Sequence, residues 1–228
     1  MARLPRLSIA RVAHLVLLRG HNGDAVFRDD GDRESFLQAL QTALEREQVA
    51  LHAYALKTDC VWLLCTPAQN HALSRAMQSL GRRYAAAFNR RHGRTGSLWD
   101  GRFRSTVVEP GPMLLDAMVF VDQLLSEAGE AMLGTPSEWS SARQHLGFDG
   151  RVQLHDASEY WALGNTPFDR ATAYRALMSE SARPSAAGRI TAATQKGWAL
   201  GSPAFVEAIQ TRTARPLQPR PRGRPRLK

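Results

Sequence analysis

Leu51-His52-Ala53-Tyr54-Ala55-Leu56-Lys57-Thr58-Asp59-Cys60-Val61-Trp62-Leu63-Leu64-Cys65-Thr66 is the stretch on which the fold turns. It reads as two strands, 51–57 and 60–66, joined by a tight hairpin turn at Thr58-Asp59. His52 alternates with Tyr54, Leu56 and Thr58 and is assigned to their face. Cys60 and Cys65 stand an odd number of residues apart and point to opposite faces.

Upstream, Arg11-Val12-Ala13-His14-Leu15-Val16-Leu17-Leu18 forms another β-type apolar run, closed by Gly20, Asn22 and Gly23. Asp30 or Asp32 then caps a helix to about Gln48, with Phe36, Leu37, Leu40 and Leu44 on one face. Downstream, Pro67 and Asn70 start a second helix carrying the stripe Leu73, Met77, Leu80, Tyr84 and Phe88, and Gly93 to Gly96 breaks it. Phe103 to Val108 alternates as a fourth strand until Pro110-Gly111-Pro112, and a third helix covers Met113 to Ala128.

Strand, helix, strand, strand, helix, strand is the order of a ferredoxin-like split βαβ plan. The fold class is therefore α+β: an antiparallel sheet with helices on one face. Beyond Gly134 no strand pattern is visible. Short helical pieces are predicted near 159–163, 168–180, 189–196 and 203–211. The chain divides into a core over 1–133, a helical extension over 134–212 and a disordered basic tail over 213–228.

With 228 residues the chain buries a core without staples, and two cysteines do not make a disulfide scaffold. No apolar stretch approaches the roughly 20 residues of a membrane-spanning helix. The basic N-terminus lacks the apolar region of a secretory signal, and a cytoplasmic location is expected. The net charge is +9 and the pI near 10.5. The excess lies in three arginine-rich blocks: Arg3 to Arg19, Arg82 to Arg104, and Arg212 to Lys228. Three such blocks favour a polyanionic partner, most simply nucleic acid, over a uniformly solvated surface.

Three segments carry a more specific resemblance: Tyr84 to Phe103 with Asn89-Arg90-Arg91-His92-Gly93-Arg94, Tyr160-Trp161-Ala162-Leu163-Gly164, and Ala193 to Gly201. Through them the chain resembles the transposases that act on repetitive extragenic palindromes, a bacterial branch of the single-tyrosine, His-x-His superfamily. The resemblance implies cleavage and joining of single-stranded DNA beside hairpins. Two histidines would hold a divalent cation on the scissile phosphate, and a helix tyrosine would attack it.

In this chain Cys60 and Trp62 fall at the His-x-His positions, and Met113 falls at the nucleophile by ungapped placement. Indole has no lone pair for a metal, a single thiolate is a poor match for magnesium or manganese, and methionine does not attack phosphorus. No catalytic residue, metal ligand or cofactor is therefore assigned. Tyr54 and Tyr84 are taken as core or groove-wall aromatics, His14 as a hydrogen-bonded core histidine, and Asp59 as a turn residue.

The DNA-binding set is Arg82, Arg83, Asn89, Arg90, Arg91 and Arg94 on one side of the second helix and its loop, with Arg102 and Arg104 on the next strand. Sequence preference would require base-edge contacts or stacking from Trp99 or His92, and Trp99 reads equally as a core residue. Arg222 and Arg224, within Pro221-Arg222-Gly223-Arg224-Pro225, look like an AT-hook core suited to a narrow minor groove. The function expected is binding of hairpin or palindromic single-stranded DNA without strand cleavage, by a monomer or dimer. An active transposase using displaced residues and an RNA-binding regulator are the alternatives.

Overall fold

The computed structural model describes residues 7–125, 136–180 and 184–219. The hairpin forms where the sequence places it: β2 (Val49–Leu56) and β3 (Cys60–Pro67) turn at Thr58-Asp59, and the Lys57 N–H donates to the Cys60 carbonyl at 2.9 Å. Before it come β1 (Ala13–Arg19) and α1 (Asp30–Arg46). After it come α2 (Ala72–Arg91), β4 (Arg104–Val108) and α3 (Pro112–Gln123). The sheet order is β2-β3-β1-β4 with every neighbour antiparallel, as the split βαβ plan requires.

β1, β2 and β3 are largely apolar on both faces, and both faces of the sheet are covered. Val16, Leu18, Tyr54, Leu56, Val61 and Leu63 pack beneath α1 and α2. Leu15, Leu17, Ala53, Ala55, Trp62 and Leu64 pack against α3 and the extension. The one-face arrangement thus holds for α1 and α2 alone. The unbroken run Val61 to Cys65 was the sequence sign of a strand buried on both sides.

The extension consists of α4 (Ala142–His145), α5 (Ser158–Trp161), α6 (Pro167–Glu180), α7 (Pro184–Lys196) and α8 (Pro203–Gln210). It also closes both edges of the sheet, which the sequence did not suggest. Along β2, the Leu56 N–H donates to the Trp139 carbonyl, the Ser141 N–H to the Tyr54 carbonyl, and the His155 N–H to the Leu51 carbonyl, at 2.7–3.0 Å. Along β4, Leu200 forms a parallel bridge to Val108, donating to the Val107 carbonyl and accepting from the Glu109 N–H. Covered edges remove the template for strand pairing with another chain.

A buried polar cluster fastens the extension to α3. The Asp122 carboxylate accepts from the Ser141 hydroxyl, from His145 Nδ1 at 2.6 Å and from the Tyr174 hydroxyl at 2.7 Å, with all four residues essentially unexposed. Among the described residues no helix is long and apolar enough to cross a membrane.

Several local expectations are corrected. A β-bulge between Leu51 and Ala53 turns His52 off the Tyr54 face, and its ring contacts Thr66 Oγ1 at 2.8 Å and the His155 carbonyl at 2.6 Å. Asp29 caps α1, accepting from the Asp32 N–H at 3.0 Å. Asn70 does not cap α2, because its side-chain oxygen accepts from the Ala10 N–H at 2.8 Å. Residues 213–219, assigned to a disordered tail, are placed: Leu217 is fully buried with Leu7, Ile9, Val12, Val206 and Ile209. The core boundary at 133 lies outside the described residues.

His14 gives the core a pH dependence. Its Nδ1 donates to the Val12 carbonyl at 2.7 Å, and its Nε2 accepts from the Ile9 N–H at 3.3 Å, which fixes the neutral ring. Burial lowers its pKa from 6.5 to about 4, against the raising effect of the Val12 carbonyl. The unfolded chain therefore takes up this proton first as pH falls. The stability is intact above pH 6.5 and is lost between 6.5 and about 4, by about 3 kcal/mol in full. Urea unfolding across that window should show a shallower decline for His14→Asn than for the wild type, and parallel curves would refute the assignment.

Candidate nucleic-acid interface

The second basic block is shaped by a loop pinned to the sheet and to α2. Gly93 and Gly96 take positive φ (60° and 87°), where a side chain would be strained. The Asn89 amide donates to the Gly96 carbonyl at 2.9 Å, and the Arg94 N–H donates to the Asn89 carbonyl at 2.8 Å. Further along, the His21 N–H donates to the Leu98 carbonyl, the Asp100 N–H to the Arg19 carbonyl, and the Trp99 indole to the Gly81 carbonyl at 3.1 Å.

Between this loop and α2 lies a groove of about 310 Å³. Arg19, Gln78, Arg82, Trp99, Arg102 and Phe103 line it. Arg19, Arg82 and Arg102 are exposed, and none of them makes an ion pair among the described residues. Asp100 shares the wall as the sole acidic lining residue and leaves the groove cationic. Three arginines on the lining of a cleft with an aromatic wall suit phosphates beside a base. Arg19, registered with Cys60, reaches the rim from the strand end, and its charge is also felt on the opposite side of the sheet.

The predicted set does not form one surface. Arg82 and Arg83 diverge by about 100° around the helix. Arg83 lines a separate cleft of about 230 Å³ between α1 and α2, with Ser35, Gln38 and Thr42. Arg90 is exposed, and α2 ends at Arg91, so Arg94 leaves the helical face. Arg94 lies over the Phe88 ring at 5.7 Å and 4.0 Å from Asp24. Asn89 is spent on the loop.

Arg91 and His92 belong to a structural cluster. Arg91 donates to Asp29 at 2.6 and 2.9 Å and to Asp32, and His92 contacts the Asp32 carboxylate at 2.9 Å. Burial pushes the Asp32 carboxyl up, but hydrogen bonds from the Arg28 N–H, His92 and Arg91 hold it below the usual range. His92 is thus engaged away from the groove, and Trp99 is half-buried against Phe36 and Tyr84. Arg104 donates to the Gln195 carbonyl at 3.1 Å. Arg222 and Arg224 lie outside the described residues. Arg19 was counted only in the N-terminal block, because nothing local to a strand end announces which loop will face it.

Cys60 and Trp62 lie on the sheet face opposite α1 and α2, registered with Arg19 and Leu17 of β1. Trp62 is 5% exposed and meets the Phe120 ring edge-on at 5.1 Å. Burial first, then the neighbouring Asp59, pushes the Cys60 thiol up to about 12, so it stays protonated. A protonated thiol and an indole do not fit a divalent cation.

Met113 is half-buried against the same apolar cluster at the start of α3. There the Glu159 carboxylate accepts from the Gly111 N–H at 2.7 Å, placing a negative charge at the positive end of the helix. Tyr54 and Tyr84 are fully buried, and burial raises both phenols well above their ordinary range. Tyr84 donates to the Val26 carbonyl at 2.6 Å.

Residues 11–113 match the family model described as "Transposase IS200 like". No curated protein sequence matches the chain. Among solved structures, a REP-associated tyrosine transposase bound to a REP hairpin superposes with a TM-score of 0.53 at 11% identity. That match covers 70% of this chain and 96% of the other, and it is a likeness of fold. A candidate transposase from Deinococcus radiodurans R1 has a TM-score of 0.37 at 17% identity, covering 48% of this chain and 88% of that one.

Proposed function

We propose that this chain, whose residues 11–113 match the IS200-like transposase family model, is a DNA-binding protein that holds hairpin or palindromic single-stranded DNA without cutting it. The observation that carries the reading is the convergence of Arg19, Arg82 and Arg102, from three separate elements, on one groove. A protein of like fold is bound to a REP hairpin, and the same class of ligand is proposed here. The guanidiniums contact phosphates and set the register of the strand, while Gln78 and the backbone of 96–101 lie within reach of base edges.

The absence of cleavage is supported by the surroundings of Cys60, Trp62 and Met113. An apolar plug occupies their side of the sheet, and the Glu159 carboxylate stands at the α3 N-terminus, where a phosphate would be repelled. The covered sheet edges favour a monomer.

Anisotropy titration of a labelled palindromic single strand tests binding. Arg82→Ala and Arg102→Ala should each weaken it and flatten the log K against log salt slope by about 0.7 on single strands or 0.9 on duplex. A wild-type slope near zero would sink the proposal, as would tighter binding to a matched RNA hairpin. A protease-sensitive covalent adduct formed with manganese would restore the enzyme reading.

A further inference from the structure

Residues 213–219 run as a strap beside the segment that edges β4. Leu217 anchors the strap: its side chain is fully buried, and its carbonyl accepts from the Ala199 N–H at 2.9 Å. Gln210, the last residue of α8, sets the strap's shape. Its amide donates to the Thr213 and Arg215 carbonyls at 2.8 and 3.0 Å, and its side-chain oxygen accepts from the Leu217 N–H at 3.2 Å. The Arg215 N–H in turn donates to Thr213 Oγ1 at 3.2 Å.

The side chain that this framework positions is Arg215. Its half-buried guanidinium lies across Gly197 and donates from Nη2 to the Gly197 carbonyl at 3.1 Å. The approach is so close that a Cβ added at Gly197 would collide with Nη2, and the same Cβ would stand 3.3 Å from the Ser105 carbonyl oxygen of β4. Arg215 Nε is buried and has no hydrogen-bond partner, and the residue makes no ion pair among the described residues. Burial lowers its pKa, and the charge of Arg102 lowers it further. Arg102 is the arginine that lines the groove beside α2. Arg104, two residues on, donates to the Gln195 carbonyl at 3.1 Å.

The negative end of α7 explains one bond from each of Arg104 and Arg215, made to the carbonyls of its last turn and of Gly197. It leaves the rest unexplained. Arg102 and Arg215 bring like charges together, one of them partly dehydrated, and no carboxylate among the described residues pairs with either. That arrangement costs free energy until an anion completes it. A phosphate supplies the charge and several acceptor oxygens, in a geometry that the planar guanidinium fork matches.

We infer that Arg215, together with Arg102, forms a phosphate site that carries the DNA track of the α2 groove past the start of β4 and onto the C-terminal strap. The inference rests on the DNA-binding reading above and extends it to a segment that the sequence assigned to a disordered tail. DNA seated in the groove places one backbone phosphate between the two guanidiniums. The contact fixes register and adds affinity, with no base readout.

The full-length protein is titrated with a labelled DNA hairpin at several salt concentrations, as wild type and as Arg82→Ala, Arg215→Ala, Arg215→Gln and Arg215→Lys. Arg215→Ala should weaken binding about tenfold. It should also reduce the slope of log K against log salt by about 0.7 on single strands or 0.9 on duplex. Arg215→Gln, which keeps a donor for the Gly197 carbonyl without the charge, should flatten the slope equally. Arg215→Lys should keep the wild-type slope and lose part of the affinity, because an ammonium lacks the fork.

Thermal melts of the free proteins separate this role from a helix cap. An Arg215→Ala protein that melts earlier yet binds with the wild-type slope overturns the inference, as does wild-type affinity in both neutral variants. A slope flattened by Arg82→Ala but not by either neutral Arg215 variant leaves the groove reading standing and sinks this one. A wild type without salt-dependent hairpin binding overturns both.

Discussion

Asp122→Ala is expected to destabilise the protein by about 3–5 kcal/mol, the cost of stripping a buried, hydrogen-bonded charge from its partners. The Ser141 hydroxyl, His145 Nδ1 and the Tyr174 hydroxyl all point at this carboxylate from inside the protein. Alanine would leave the His145 and Tyr174 donors without their acceptor and the Ser141 hydroxyl with only the Tyr54 carbonyl at 3.2 Å. The effect should reach beyond the site. Ser141 also bonds both backbone groups of Tyr54 on β2, and Tyr160 donates to the His145 carbonyl at 2.8 Å. Urea unfolding should show the lowered midpoint, and limited proteolysis should find the 136–180 region cleaved earlier. A loss below about 1 kcal/mol would mean that the cluster is not what docks the extension.

Trp62→Ala is the second large effect, about 3–5 kcal/mol, because a nearly unexposed indole leaves a cavity that close-packed neighbours do not refill. The ring is wedged between the Phe120 edge and the β1 side chains Leu15 and Leu17. This outcome separates two roles for the position. A residue serving metal chemistry would lose activity with little change in stability, whereas a residue of the core loses stability and leaves hairpin affinity per folded molecule unchanged. Should Trp62→Ala be as stable as the wild type and bind DNA less tightly, the apolar-plug account would fail.

The α+β class and the split βαβ order were legible because the signals are local. Alternating or continuous apolar runs stop at Thr58-Asp59, at Gly20 to Gly23 and at Pro110 to Pro112, and the structure places the strands within two residues of those stops. The arginine-rich block was legible as charge but not as a surface. Arg82 and Arg83 are neighbours in sequence and line different clefts. Arg91 looked like a phosphate ligand until Asp29 and Asp32, some sixty residues away, were found bonded to it. Charge is additive along a chain, but the partner that neutralises it is chosen in three dimensions.

His52 shows the same division at smaller scale. Alternation assigned it a face, and one bulged residue in β2 moved it to the other. The sequence alone therefore determined which segments are strands and helices and that the chain is basic in blocks. Those properties follow from side-chain type and period. Only the tertiary structure decided that Arg19 joins Arg82 and Arg102, that Trp62 is packed rather than poised, and that the extension seals both edges of the sheet. Each of these is a contact between segments far apart in sequence, fixed by packing and hydrogen-bond satisfaction that no local pattern encodes.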